Sequence, residues 1–400
     1  MTATTVTPTV MPTAMPTPNR RIQALPPYPL TDVPGIKRDL RARGVDVIDL
    51  GAGDADLAPP PAVVAALQQA ACDPANSRYP FQLGLVEFRE EIARWMGTRF
   101  GVEVDPMREL GLLIGSKEGI YHLPFAFLEP GDAAIVPDPG YAAYLGGTVL
   151  AGGVPHLVPL RPEHDFLVPL DELPADVVRR ARILYLNYPN NPTAACAPRE
   201  YLERAVAWCR EHGVILAYDN AYSELAFDGY RPPSILEIPG AREVAVEFHS
   251  LSKTYNMTGW RIGWAVGSPD LVSAVVRVKT FCDTGVPLAI QHAGVAALRS
   301  HADWVPQNVA TFQRRRDAAW QALTDAGIDL PRPAASMYLW VPLPEGVESE
   351  PWARRLLLEQ GVAVLPGKSL GAGGEGFFRI ALTCSEDRLR QAAARIAHML

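Results

Sequence analysis

The sequence predicts an α/β fold: a mostly parallel central sheet in a large domain flanked by helices, joined to a smaller α+β domain. Three observations carry this expectation. Short β-branched apolar runs alternate with amphipathic helical patterns. The runs end in polar clusters, which is where open α/β sheets bind their ligands. After residue 290 the texture changes to long helical stretches and alternating strands. A chain of 400 residues also exceeds one typical small core, which favours several domains or one large domain with a satellite.

Along the chain, residues 1–19 are a Thr/Pro/Met/Ala-rich tract with neither a basic start nor a continuous apolar run. They are expected to be a disordered arm rather than a secretory signal. Residues 61–292 are expected to form the large domain, and residues 20–60 to join 293–400 in the small one. In the segment FREEIARWMGTRF, Phe88, Ile92, Trp95, Met96 and Phe100 recur at helical spacing and predict a core-facing stripe. Buried parallel strands are expected at 133–136, 183–186, 214–217 and 244–246. Between the second and third lies PREYLERAVAWCREHG, a helical pattern that Gly213 would close. Strand, helix, strand at this spacing implies right-handed βαβ units. The polar clusters follow as Asp138-Pro-Gly-Tyr141, Asn187-Tyr-Pro-Asn-Asn191-Pro-Thr193 and Asp219-Asn-Ala-Tyr222. Beyond residue 290 come one long helical stretch (291–323), an alternating strand at 337–341, a strand at 376–382 and a closing helix.

Composition narrows the function. Thirty-seven basic against 44 acidic residues give a net charge of −7, which argues against a nucleic-acid grip. Five scattered cysteines without a Cys-x-x-Cys pair point to reduced thiols rather than disulfides or a zinc knuckle. The eight histidines show no metal-ligand spacing, so no metal is expected. No apolar stretch is long enough to span a bilayer. A cytoplasmic protein without membrane or nucleic-acid partners is the expectation.

The run HSLSKTYNMTGWRIG (249–263) is the most informative part of the chain. It places one lysine amine, Lys253, among hydroxyls, with Arg261 eight residues downstream. A lysine that forms a Schiff base with an aldehyde cofactor needs such groups nearby to hold the cofactor's phosphate. Only five lysines stand among the 37 basic residues, so arginine fills nearly every ordinary basic position. Taken alone, the motif also reads as a surface lysine in a Ser-rich turn. Two nucleotide-binding patterns fail on spacing: Gly51-Ala-Gly53 lacks its third glycine, and Gly367-Lys-Ser369 lacks a correctly placed first one.

Tyr141, Asn191-Pro-Thr, Asp219 with Tyr222, Ser250-Leu-Ser-Lys253, Arg261 and Arg379 occur in one order. With them the chain resembles the fold-type I, pyridoxal-phosphate-dependent aminotransferases of class I/II, from about residue 20 to the C-terminus. The resemblance implies roles. Lys253 would bind the cofactor aldehyde and then serve as the base. Asp219 would pair with the pyridine nitrogen, Tyr222 and Asn191 would donate to the phenolate oxygen, and Tyr141 would stack on the ring. Ser250, Arg261, Ser116 and Lys117 would hold the phosphate, joined by Tyr79 from a neighbouring subunit, which implies a homodimer with shared active sites. Arg379, with Asn191 and the Gly53 backbone, would take the substrate carboxylate. Two departures stand out: Ala194 occupies a position where the family often has Gly, and Tyr141 one where well-known members have Trp. The segments GSKEG, RYPFQLGL and CDTGVPLAIQ look closest to the subgroup with LL-diaminopimelate and alanine aminotransferases and relatives named aspartate aminotransferases. The implied reaction moves an amino group between an L-amino acid and a 2-oxo acid, with 2-oxoglutarate as the expected partner, by ping-pong half-reactions. A C–S β-lyase or related fold-type I lyase or synthase is the alternative, since carbanion formation is common to all of them.

Overall fold

The computed structural model describes residues 17–26 and 32–400; residues 1–16 of the expected arm lie outside them. The strands are β1 (Ile48–Asp49), β2 (Leu110–Leu113), β3 (Ala133–Asp138), β4 (Val154–Pro159), β5 (Ala181–Leu186), β6 (Ile215–Asp219), β7 (Ala245–Ser250), β8 (Gly263–Gly267), β9 (Tyr338–Pro342), β10 (Val362–Ala363), β11 (Leu365–Pro366) and β12 (Phe377–Ala381).

A seven-stranded sheet in the order β2-β8-β7-β6-β5-β3-β4 forms the centre, and every strand is parallel except β8, which runs against both neighbours. The apolar runs read from the sequence are its middle strands, buried on both faces as parallel strands are. In β5, Ile183 and Tyr185 join one core, while Leu184 and Leu186 join the core on the opposite face. The helix Val86–Phe100 buries its whole expected stripe, Phe88, Ile92, Trp95, Met96 and Phe100. Each such side chain contributes roughly 1.5–3 kcal/mol of burial free energy. The helix Arg199–His212 ends at Gly213, whose φ of 64° is the left-handed cap a Cβ would strain.

Three strands of this sheet lie outside the runs read from the sequence. β2 and β8 contain glycines, and β4 is a partly exposed edge strand with a proline at its second and last positions. The expected strand at 244–246 is shifted: Val244 closes a short helix and β7 starts at Ala245. The long helical stretch is two helices, Leu288–Arg299 and His301–Asp325. Ser300 separates them, its hydroxyl donating to Ala297 O and so competing with the backbone ladder.

A three-stranded antiparallel sheet, β11-β12-β9, and the parallel pair β1-β10 build a second core with Phe312, Leu323, Leu339, Val341, Val362, Phe378 and Ile380. Here β1, from the N-terminal part of the chain, pairs with β10 from the C-terminal part. The segment 51–58 that follows β1 runs back across the open end of the large sheet. There Ala55 N donates to Thr258 Oγ1 and Asn256 Nδ2 to Ala58 O.

Candidate active site

The C-terminal ends of β3, β5, β6 and β7 all face one way, so their polar clusters converge. β7 runs out at Ser250, which caps the short helix Leu251–Thr254 by accepting from Ser252 N. That turn lifts Lys253 over the sheet end, where its Nζ donates to the carbonyl of Gly53.

Asp219 ends β6 and is buried. Tyr144 Oη donates to its Oδ2 at 2.8 Å, and Asn187 Nδ2 holds its backbone carbonyl at 2.7 Å. Its Oδ1 is buried with no hydrogen-bond partner among the described residues. Burial pushes the carboxyl up to about 6, against the Tyr144 hydrogen bond and nearby His249, which lower it. A buried carboxylate with one free oxygen is built to receive a proton donor.

Arg379 lies in β12 and is buried, a costly place for a cation unless it is paired. Its Nη1 donates to Asn191 Oδ1 at 2.8 Å and its Nη2 to Gly51 O at 2.9 Å. Its Nε is left unpaired among the described residues. Tyr222 is buried beside it, with its hydroxyl 3.3 Å from that of Tyr338. Burial, and then Tyr338, push the Tyr222 phenol well above its usual range.

The helix Ser116–Phe127 starts at Gly115, which has a φ of 77°, so its free amides open onto the same end of the sheet. Arg261 packs against this turn: a Cβ on Gly115 would sit 2.2 Å from Arg261 Nη2, and one on Gly263 would meet Ser116 N at 2.9 Å. Ser250 pairs with Gly263 across β7 and β8. The amide turn, Ser250 and the Arg261 guanidinium therefore form one cradle with anion-binding chemistry. Lys117 lies over the Tyr141 ring at 5.6 Å, and Tyr141 meets Tyr144 edge-on at 5.7 Å.

The structure thus brings Lys253, Asp219, Tyr222, Asn191, Arg379, Gly53, Ser250, Arg261, Ser116, Lys117 and Tyr141 to one end of the sheet. Tyr79 is not among them. It is 69% exposed and touches Phe81 on the outer surface. Three residues with evident parts in this site were not assigned roles from the sequence. Tyr144 follows Tyr141 by three positions at the start of a helix, a spacing that could have revealed it. Asn187 stands inside a polar cluster already noted. Tyr338 sits in an alternating strand, and nothing in that pattern separates it from core.

Ala194 adopts a φ of 58°, the left-handed region that favours glycine. The turn after Asn191 nonetheless keeps its form through Asn190, which accepts from Thr193 N and Thr193 Oγ1.

An orphaned buried carboxylate oxygen, a nearby amine and an anion cradle together fit pyridoxal phosphate, which needs one group at each of those three places. Comparisons with known proteins agree. The family model "Aminotransferase class I and II" matches residues 45–396. The LL-diaminopimelate aminotransferase of Desulforudis audaxviator is 48% identical over 377 residues, covering 94% of this chain and 96% of that one. Among solved structures, a probable N-succinyldiaminopimelate aminotransferase from Thermus thermophilus superposes with a TM-score of 0.88 at 42% identity, covering 92% of this chain and 99% of that one. BacF from Bacillus subtilis gives 0.92 at 31% identity, covering 96% and 98%. The chain belongs to the class I and II aminotransferases. It is a transferase with the fold-type I architecture, and its cofactor is pyridoxal phosphate.

Proposed function

We propose that the enzyme transfers an amino group between LL-diaminopimelate and 2-oxoglutarate in ping-pong half-reactions, as a cytoplasmic homodimer with shared active sites. The high identity to the D. audaxviator enzyme along nearly the whole chain supports this substrate over alanine or aspartate. The observation that carries the reading is the buried Arg379, held on Asn191 and Gly51 with its Nε unpaired, beside the Lys253 amine. Such a fork takes an α-carboxylate in two parallel hydrogen bonds and so fixes the orientation of the substrate's α-carbon.

Pyridoxal phosphate, when bound, supplies an electron sink for charge developing at that carbon. Asp219 would hold the ring nitrogen through its free Oδ1, with Tyr144 steadying the other oxygen. Tyr222 and Asn191 would offer hydrogen bonds to the ring's phenolic oxygen, and Tyr141 would cover the ring face. Ser116, Lys117, Ser250 and Arg261 would anchor the phosphate, with the partner's Tyr79 completing the cradle. Lys253 Nζ would carry the cofactor and then act as the base that takes and returns the α-proton. In this reading residues 61–292 are the cofactor-binding domain. Residues 20–60 and 293–400 form the smaller domain, which brings Arg379 to the site.

The test is a panel of amino donors with 2-oxoglutarate: LL-diaminopimelate, alanine, aspartate and aromatic amino acids. The proposal expects glutamate to form fastest with LL-diaminopimelate. Faster turnover of another donor would reject the substrate, and release of pyruvate and ammonia would reveal the lyase alternative.

A further inference from the structure

Tyr338 stands where three parts of the site meet. It opens β9, paired with Ala381 of β12, two residues from the Trp340–Arg379 pair. Its side chain therefore leaves the sheet on the same face as Arg379. The Arg379 guanidinium lies 4.0 Å from the centroid of the Tyr338 ring, a cation–π contact between two buried side chains. The hydroxyl reaches the Tyr222 hydroxyl. On its other side the hydroxyl occupies the space a side chain on residue 53 would need: a Cβ built on Gly53 would lie 2.1 Å from Tyr338 Oη. Gly53 is the residue whose carbonyl accepts from Lys253.

The guanidinium has two fixed points, Asn191 and Gly51, both on its terminal nitrogens. Two in-plane hydrogen bonds restrain the group within its plane but do little against tilting out of it. The ring supplies that missing restraint. A tilt of the fork would turn the unpaired Nε–H and the remaining Nη hydrogens away from a shared direction, and a carboxylate could then engage only one of them.

We propose that Tyr338 is a positioning residue of the substrate carboxylate site, its ring holding the Arg379 fork flat and its hydroxyl seating the ring between Gly53 and Tyr222. This rests on the reading of Arg379 as the carboxylate clamp. Burial pushes the Tyr338 phenol up, yet the Arg379 and Lys253 cations outweigh that and hold it below its ordinary value, which agrees with close engagement of both.

The experiment compares the holoenzyme with Tyr338→Phe, Tyr338→Leu and Arg379→Ala. The readouts are kcat, the KM for the amino donor, and the Kd of maleate, a dicarboxylate that is not transaminated, by calorimetry. Tyr338→Phe keeps the ring but loses the hydroxyl that seats it against Tyr222, and should raise KM and Kd by about two- to fourfold. Tyr338→Leu should raise both by about ten- to thirtyfold, the range a desolvated cation–π contact commands, while kcat changes by less than about threefold. If the Leu variant does not fold, Tyr338→Met, also ringless and closer in volume, makes the same comparison. An equal loss in Phe and Leu, or no change in Leu or Met, overturns the proposal while leaving the clamp intact. If Arg379→Ala leaves KM and Kd unchanged, the clamp itself is wrong, which is a separate failure.

Discussion

Asp219 has two unlike carboxylate oxygens: one holds the Tyr144 hydroxyl, and the other faces no donor among the described residues. That inequality has a cost before cofactor binds. Burial raises the carboxyl from 3.8 to about 6, so the folded chain holds more protons than the unfolded chain between those values. The folded state therefore loses stability as pH rises from about 4 through 6, by up to about 3 kcal/mol above that window. Asp219→Asn should remove the charge and this dependence together. The cofactor-free variant should melt above the parent at pH 8 and level with it near pH 4, while turnover falls about 10²–10³-fold through loss of the preorganised charge. Parallel melting curves at both pH values would contradict this reading of Asp219. The place of this site was legible in the sequence because most of its residues follow strand ends in short polar clusters. Tyr338 was not legible, because in Met337-Tyr-Leu-Trp the alternation that marks a buried strand also describes a residue aimed at the site.

At the scale of elements, the helix Ser116–Phe127 is anchored behind its first turn by a partly buried cluster around the buried Lys279. Lys279 Nζ, at the end of the helix Pro269–Lys279, donates to both carboxylate oxygens of Glu118 and of Asp283 at 2.7–2.9 Å. Glu118 also accepts from Ile114 N at 2.8 Å, which shapes the turn carrying Gly115 and Ser116. Burial, then the neighbouring Asp283, push Glu118 up to about 7, and Lys279 opposes them. Burial holds the adjacent His122 below its ordinary value. Lys279→Met should leave two carboxyl groups facing each other without a cation, a loss of about 3–5 kcal/mol at pH 8. The loss should shrink at pH 5.5, where a proton can stand between the two groups. Urea unfolding at the two pH values checks this, and equal losses would count against it. The middle strands were legible because strands buried on both faces read as plain apolar runs. β2, β4 and β8 were missed because glycine, proline and one-sided exposure erase that signal, although β8 is what brings Arg261 to the cradle.

At the scale of the whole molecule, the surface outside the site carries an apolar group that a lone subunit would leave in water. Tyr79, Phe81 and Leu83 are exposed, and Phe281 is 88% exposed. Their two segments adjoin, since Gln82 Nε2 donates to Asp283 O and a Cβ on Gly285 would meet Phe81 O at 2.9 Å. Exposed apolar groups clustered in this way mark an interaction surface. It carries the same Tyr79 that the family resemblance sends to a neighbouring cradle. If the proposed homodimer forms across this surface, Phe281→Asp should shift it toward monomer in sedimentation and reduce turnover in proportion. A fully active monomer would refute the shared-site arrangement.

The Lys253 amine, at the end of the large sheet, donates to the carbonyl of Gly53 on the segment that follows β1, so it lies where the two parts of the chain meet. Borohydride reduction of the purified protein with pyridoxal phosphate, followed by peptide mass mapping, reads that amine without intermediaries. A phosphopyridoxyl adduct should appear on Lys253 and on no other lysine. An unmodified Lys253, or a label on Lys117 in its stead, would overturn the assignment of the cofactor-bearing amine.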